Sequence, residues 1–451
     1  MTASTSAIVG ALACQKNSYL KTFKTTVVSS FEFIPPPTSK DKQNKNKKSK
    51  GSDSEPESKK DVQYAVELED TILFPEGGGQ PYDIGSIILP DEQSIAVKSV
   101  LRDKLKALHL TETPLEPGTE VTLKLNWSRR IDLMQQHTGQ HLLSAVFDTY
   151  NLETLSWSMG DLINYIELPE KVSDEIVNEV NAKVNDLILE DLPIQVVTPD
   201  QHGGEIDTSH IPDDYDLSKG IIRIVKIGEL DSNPCCGTHL SSTSQIQGMS
   251  LLHQTSVRGG HSRLYFICGS RVSQYLRKQH ELLKDVSGNQ LSCQIEEVVE
   301  KVATLNTNYR KAVSRESALL KEIANMEATK IFTKFSSTDK LVDYVYRADN
   351  SPEYLTLVQK EITTLINGDK SSGVNLSDKQ TLVLLNGDYP SGTGGMVKVL
   401  GPKSEEIQSE LKQRISNIKG GGKGSSFQGK ISKYEKGEIE SVLLYLDSFR
   451  D

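Results

Sequence analysis

The sequence has few of the residues that cross-link a chain or carry it into a membrane. Its five cysteines, at positions 14, 235, 236, 268 and 293, form no dense, even framework. That excludes a disulfide scaffold and fits a reducing compartment. No run approaches the roughly 18 apolar residues that span a bilayer, so no membrane is expected as a partner. The apolar stretch Ser6–Cys14 has no basic residue before it, unlike a secretory signal, and reads as a first strand of a cytoplasmic protein. An excess of positive charge is also missing, the net charge being −10. Any contact with nucleic acid must therefore come from local basic patches. Histidine is scarce, with nine in 451 residues, and three of the nine fall in two short motifs.

Those motifs are the most informative feature present. His137-Thr-Gly-Gln-His141 sets two imidazoles four residues apart, on one face of a helix. Cys235-Cys-Gly-Thr-His239 sets a thiol and an imidazole four apart in a glycine-containing turn. Three nitrogens and one thiolate suit Zn²⁺, one ion per chain. The candidate ligands are His137, His141, Cys235 and His239. The long gap between the couples would join distant parts of a domain, more like an active site than a local finger. The first couple lacks the Glu of HExxH, which argues against a metalloprotease.

The fold class reads as α+β. Short β-branched runs at 23–33, 62–68, 84–89, 95–100 and 120–125 suggest a small N-terminal β-barrel over 1–125. It is interrupted by a Lys/Ser/Glu-rich insert at 38–61 that has no apolar residue able to offset its ordering entropy. Between two of the runs lies Phe74-Pro-Glu-Gly-Gly-Gly-Gln-Pro-Tyr-Asp83. Residues 126–271 read as an α+β domain carrying both metal couples, with a helix capped by Ser128, another over 173–189, and strands at 194–197, 221–227 and 264–267. Residues 272–335 form a helical hairpin or coiled-coil linker. Its apolar seam Ile295, Val298, Val302, Leu305, Tyr309, Ala312, Leu319, Ile323 and Met326 fits a spacer or a dimer interface. Residues 336–451 read as a small α/β domain with strands at 354–358, 381–385 and 396–399 and a helix over 405–418. The basic loop Lys419-Gly-Gly-Gly-Lys-Gly-Ser-Ser426 follows, with exposed amides and lysines that suit a phosphate.

The Phe74–Asp83 segment, HxxxH and CxxxH, in that order, resemble the editing domain found in alanyl-tRNA synthetases and in free-standing editing proteins of the AlaX type. The C-terminal part resembles the RNA-binding domain that ends those synthetases, as in the long, eukaryotic form of the free-standing protein. The resemblance implies zinc on the four ligands and a wall of the aminoacyl pocket at Gly77, Gly78, Gly79 and Gln80. It departs in two places. Cys236 stands where the family commonly has glycine, and Gln140 stands where synthetase-type domains carry Thr.

The resemblance also implies the reaction: hydrolysis of the ester in tRNA(Ala) mischarged with serine, and glycine as a further substrate. A pocket distinguishes one methylene or hydroxyl by only about 1–3 kcal/mol, so a second, hydrolytic site is required. Thr138, Gln140 and Gln80 are the candidate catalytic groups that read the serine hydroxyl, while Arg129 and Arg263 are candidates for the substrate's phosphates, as are Arg130, Arg258 and His261. Four protein ligands leave no open tetrahedral position. Zinc is therefore read as orienting the substrate, with water activated by a ribose hydroxyl or another side chain. Competing readings are editing of mischarged tRNA(Thr) and a non-catalytic, zinc-stabilised tRNA-binding protein. A homodimer through the helical and C-terminal regions is a further expectation.

Overall fold

The computed structural model describes residues 6–34, 62–198, 221–349, 351–392 and 394–449. The insert expected at 38–61 lies outside them. The chain divides into two compact units, Met1–Lys284 and Asp285–Asp451.

The first unit opens with seven antiparallel strands: β1 (Thr22–Phe33), β2 (Gln63–Leu68), β3 (Gly85–Ile88), β4 (Ser94–Val97), β5 (Ser99–Asp103), β6 (Lys106–Thr111) and β7 (Glu120–Leu125). Their order in the sheet is β4-β3-β7-β1-β2-β6-β5. Strand β7 shows why they form, since Val121, Leu123 and Leu125 alternate inward between polar neighbours at the period of a half-buried strand. The long β1 pairs with β7 through Thr26, then shifts register between Val27 and Ser29 and continues on β2. The two edge strands, β4 and β5, follow one another through Lys98, whose N–H donates to Leu110 O at 3.1 Å. The sheet thus curls until its edges meet, around a core that includes Val66, Leu73, Phe74, Ile87 and Leu123.

Three sequence expectations fail in this unit. The run 95–100 is not one strand but the end of β4 and the start of β5, parted at Lys98. Residues Ser6–Cys14 form no strand, because the Ala13 and Cys14 amides bond to Asp70 and Thr71 and start a short helix, α1 (Ala13–Lys16). Helix α2 (Trp127–Asp148) is capped by Asn126, not Ser128. The Asn126 side chain accepts the Arg129 N–H at 3.1 Å, and its own N–H is held by Ile84 O. Helix α3 (Asp174–Leu189) starts at Ser173 and buries Val177, Val180, Val184 and Ile188, one stripe at helical spacing.

Strands β8 (Ser156–Ser158), β9 (Asn164–Leu168), β13 (Met249–Ser256) and β14 (Ser262–Cys268) make a four-stranded sheet of order β13-β14-β9-β8. Strands β10 (Ile194–Val197), β11 (Ile224–Ile227) and β12 (Asp231–Pro234) make a three-stranded one. Both helices pack on these sheets through a second core containing Leu142, Phe147, Ile166, Val184, Val225 and Phe266. Burying each such side chain contributes about 1.5–3 kcal/mol. Gly139 lets α2 lie close to β14, since a Cβ there would overlap Cys268 Sγ. Helix α4 (Ser270–Asp285) closes the unit.

The second unit is led by α5 (Val298–Ser337), a 40-residue helix. It continues through β15 (Val342–Arg347), α6 (Pro352–Gly368), β16 (Thr381–Asn386), β17 (Gly395–Leu400), α7 (Ser404–Arg414), β18 (Ile418–Gly422), β19 (Ser426–Ile431) and α8 (Glu438–Asp447). The sheet order is β15-β16-β17-β19-β18, with only β15 and β16 parallel. The expected strand at 354–358 is helical. Pro352 at the first turn presets φ, and Tyr354, Leu355, Val358 and Ile362 form one buried face; five residues are too few to separate the two periods. The expected glycine loop is a hairpin, and the helix before it ends at Arg414. Cβ atoms at Gly420 or Gly422 would overlap the backbone of β19, so glycine permits the close pairing. In α5 only Ala324, Ala328, Ile331 and Phe335 are buried, against α6, and the predicted seam residues Leu305, Tyr309 and Met326 are exposed. No helix among the described residues is long and apolar enough to cross a membrane.

Candidate metal centre

Helix α2 presents His137 and His141 on one face, and the turn after β12 brings Cys235 and His239 against them. The four donor atoms lie within 4.8 Å of one another. Cys235 Sγ is 3.4 Å from His137 Nε2 and 3.2 Å from His239 Nε2. In tetrahedral zinc the bond lengths put N and S donors about 3.5 Å apart, so the set fits the ion.

Each imidazole is held from behind. His137 Nδ1 donates to Gln80 Oε1 at 2.8 Å. The same oxygen accepts the Thr238 N–H at 3.0 Å, which fixes the amide's orientation and therefore the imidazole tautomer, leaving Nε2 free to bind metal. His239 Nδ1 faces the Thr138 hydroxyl at 3.5 Å, and His141 Nδ1 faces Asp231 Oδ2 at 3.6 Å. Such partners orient metal ligands and raise their basicity.

The Cys235–His239 turn is gripped by its carbonyls. Arg223 Nη1 donates to Gly237 O at 2.8 Å while Nη2 donates to Gln15 O, and Gln15 Nε2 donates to Cys236 O at 2.6 Å. Position 237 must be glycine, because a Cβ there would overlap the His137 ring.

The glycine segment closes one side of the centre. Gly77 and Gln80 exchange two backbone hydrogen bonds of 3.1 Å. Gly78 and Gly79 have positive φ, 61° and 81°, where L side chains are strained. A Cβ on Gly79 would lie 2.6 Å from the Trp157 indole, and that indole stacks on His137, with centroids 4.9 Å apart. The end of the segment is pinned by a fully buried pair, Asp83 and Arg130. Arg130 also donates to Ser18 O and Ile72 O.

Residues 222–265, which include Cys235 and His239, match the family described as "Threonyl and Alanyl tRNA synthetase second additional domain". A Saccharomyces cerevisiae protein with the provisional name alanyl-tRNA editing protein alaX is 37% identical over 97% of this chain and 96% of its own. The Mus musculus alanyl-tRNA editing protein Aarsd1 is 33% identical over 96% and 97%. The Pyrococcus horikoshii alanyl-tRNA editing protein AlaX-L is 33% identical over 58% of this chain and 69% of its own. The chain belongs to the alanyl-tRNA editing protein family.

In this family member the charges of the centre are set by burial and mutual contact. Burial would raise the Cys235 thiol, but the imidazoles of His137, His239 and His141 outweigh it and hold the group well below its ordinary value. Burial would lower His141, yet the Cys235 thiolate and Asp231 carry it to about 10. His239 is pushed down to about 3, chiefly by burial. Burial, aided by the neighbouring Cys235, raises Cys236 to about 11, so this second thiol stays protonated where Cys235 is a thiolate.

The other sequence candidates occupy varied positions. Gln80 and Thr138 are buried with their polar atoms on the ligands and on the ligand turn, and Thr138 Oγ1 also accepts the Leu240 N–H. Gln140 turns to Ser144, at 2.9 Å, whose hydroxyl meets Thr154. Arg129 donates to Tyr82 O. Arg263 bonds Glu167 at 3.1 Å on a different face. Arg130 is spent inside the protein and cannot meet phosphates. Sequence reading missed Asp231, Trp157, Arg223 and Gln15, which share no motif with the ligands.

Proposed function

We propose that this aminoacyl-tRNA deacylase of the alanyl-tRNA editing family works in trans on tRNA(Ala) mischarged with serine, and with glycine as a second substrate. The observation that carries the reading is the cluster His137, His141, Cys235 and His239 beside the Gly77–Gln80 turn. Zinc held there supplies positive charge that orients the ester-bearing end of the substrate.

The protein's own groups do the rest. Gln80 and Thr138 hold His137 and His239 in the ligating tautomer and so act as positioning residues. Gly77, Gly78 and Gly79, with Trp157, wall the aminoacyl pocket and limit water around the ester. Gln140, through its link to Ser144, is the candidate for reading the serine hydroxyl, since alanine would leave that polar pair without its partner. Arg129, at the mouth of the glycine segment, is the candidate for a substrate phosphate. Water is activated by a ribose hydroxyl of the substrate. Five free cysteines support a reducing, cytoplasmic setting, and the exposed stripe of α5 supports a homodimer.

The test is deacylation of seryl-, glycyl- and alanyl-tRNA(Ala) and of seryl-tRNA(Thr), by wild type and Cys235→Ala, with zinc measured on both. Release of serine from tRNA(Ala) but not of alanine, lost together with zinc, is the expected result. Release from tRNA(Thr) alone would move the substrate to the other half of the matched family description. Zinc binding without ester cleavage would leave a tRNA-binding protein.

A further inference from the structure

The β13-β14-β9-β8 sheet has two unlike faces. Ile166, Leu168, Leu264 and Phe266 point inward and are buried in the core. Tyr165, Glu167, Arg263 and Tyr265 alternate with them and are only partly buried. Register sets Ser158 opposite Tyr165 and Tyr165 opposite Tyr265. A register shift between Leu251 and Gln254 is a β-bulge that re-aims a side chain, and it carries the exposed His253 onto Tyr265. Those rings stack with centroids 4.4 Å apart and planes at 18°. Tyr165 meets Tyr265 edge-on at 5.8 Å, and the Arg263 guanidinium lies 4.5 Å over the Tyr165 ring. Beside the row, two residues further along the strands, is an open hollow of about 700 Å³ lined by Glu167, Ser256, Val257, Arg258 and Arg263. Neither tyrosine belongs to a hydrophobic core of the described residues.

We propose that the row Tyr165–Tyr265–His253, with Arg258 and Arg263, is a stacking platform for the unpaired 3′ nucleotides of the tRNA substrate. Unpaired RNA is bound by stacking its bases on aromatic side chains and guanidinium planes of an open sheet face. Arg258 and Arg263 outnumber the carboxylate Glu167 around the hollow, which suits a phosphate backbone. The row also leads to the metal centre. Trp157 lies between Ser156 and Ser158 on the edge strand β8 and points to the opposite face, where it stacks on His137. From Tyr265 to β8 is two strand spacings, about 10 Å, the length of about three stacked nucleotides. An RNA end laid along the row rounds β8 and delivers its terminal ester beside His137. The identity of the RNA rests on the deacylase reading above.

The test uses the full-length protein, uncharged tRNA(Ala) and the same tRNA lacking its terminal CCA. Wild type, Tyr165→Leu/Tyr265→Leu and Tyr165→Phe/Tyr265→Phe are compared by equilibrium binding and by deacylation of seryl-tRNA(Ala). Wild type should bind the complete tRNA on the order of tenfold more tightly or better than the truncated one. The leucine variant should lose that preference and raise KM by the same factor with kcat unchanged, while the phenylalanine variant keeps both. His253→Ala, at an exposed position, gives a smaller loss in the same direction and serves if the leucine variant folds poorly. A leucine variant, or a His253→Ala protein, that keeps the wild-type preference for the CCA end and the wild-type KM overturns the proposal. If wild type cleaves no ester, the deacylase reading fails, and the two binding constants still decide whether the platform holds an RNA end.

Discussion

Gln80 Oε1 accepts a hydrogen bond from His137 Nδ1 at 2.8 Å, and this contact ties the glycine turn to the candidate metal cluster. Gln80→Leu keeps the bulk but removes the acceptor that fixes the His137 tautomer. Loss of such a partner typically weakens metal affinity 10–100-fold. Competition for zinc against a chelator should show a loss in about that range.

The three glycines are not equivalent. A methyl on Gly77 would find only Arg102 Nη1, at 3.8 Å, so Gly77→Ala should change stability by less than about 0.5 kcal/mol. Gly79→Ala adds strain at positive φ, about 1–3 kcal/mol, and pushes the Trp157 indole off His137. Its deacylation rate should fall more than about tenfold, with a shift in tryptophan fluorescence that Gly77→Ala does not produce.

The adjacent thiols should separate cleanly. Cys235→Ala removes a donor and should leave the protein without stoichiometric zinc. Cys236→Ala should retain it, because Cys236 is held as a neutral thiol and its carbonyl, not its sulfur, is what Gln15 grips. Metal analysis of the two purified variants is the check.

The Asp83–Arg130 pair is sealed from solvent on both sides. Arg130→Met leaves a buried carboxylate without its cation, which typically costs about 3–5 kcal/mol. Chemical denaturation should show that loss, and it should exceed the loss from Arg129→Met, whose side chain is only partly buried.

His109 should make stability depend on pH. Burial lowers it from 6.5 to about 4, between Val66 O and the Thr71 hydroxyl. The unfolded chain therefore binds the extra proton between those values. The neutral imidazole's contribution is complete above pH 6.5 and is lost as pH falls toward 4, about 3 kcal/mol in all. Denaturation midpoints across that range should fall more steeply for wild type than for His109→Gln.

The four clustered residues were legible because each couple is local: i, i+4 on a helix, and four residues around Gly237. Their supports were not. Arg223 reaches Gln15, 208 positions away, and Trp157 meets His137 only because β8 pairs with β9. Strand β6 escaped notice although Leu108 and Leu110 alternate with His109 and Thr111, because six residues give a short signal and this strand is buried on both faces from Ala107 to Thr111. The 354–358 segment misled for the opposite reason, since its apolar residues satisfy a strand period over five positions and a helical one over seventeen.

The spacing of the ligands also imposes an order of events. His137 and His141 are synthesised long before Cys235 and His239, and β8 to β12 lie in between. Through that interval two imidazoles alone can offer a metal only weak, exchangeable binding. The fourth donor arrives only with residue 239, so tight capture of an ion by this cluster would have to follow synthesis of both halves of the unit, and a chain stalled before Cys235 should hold a metal only weakly.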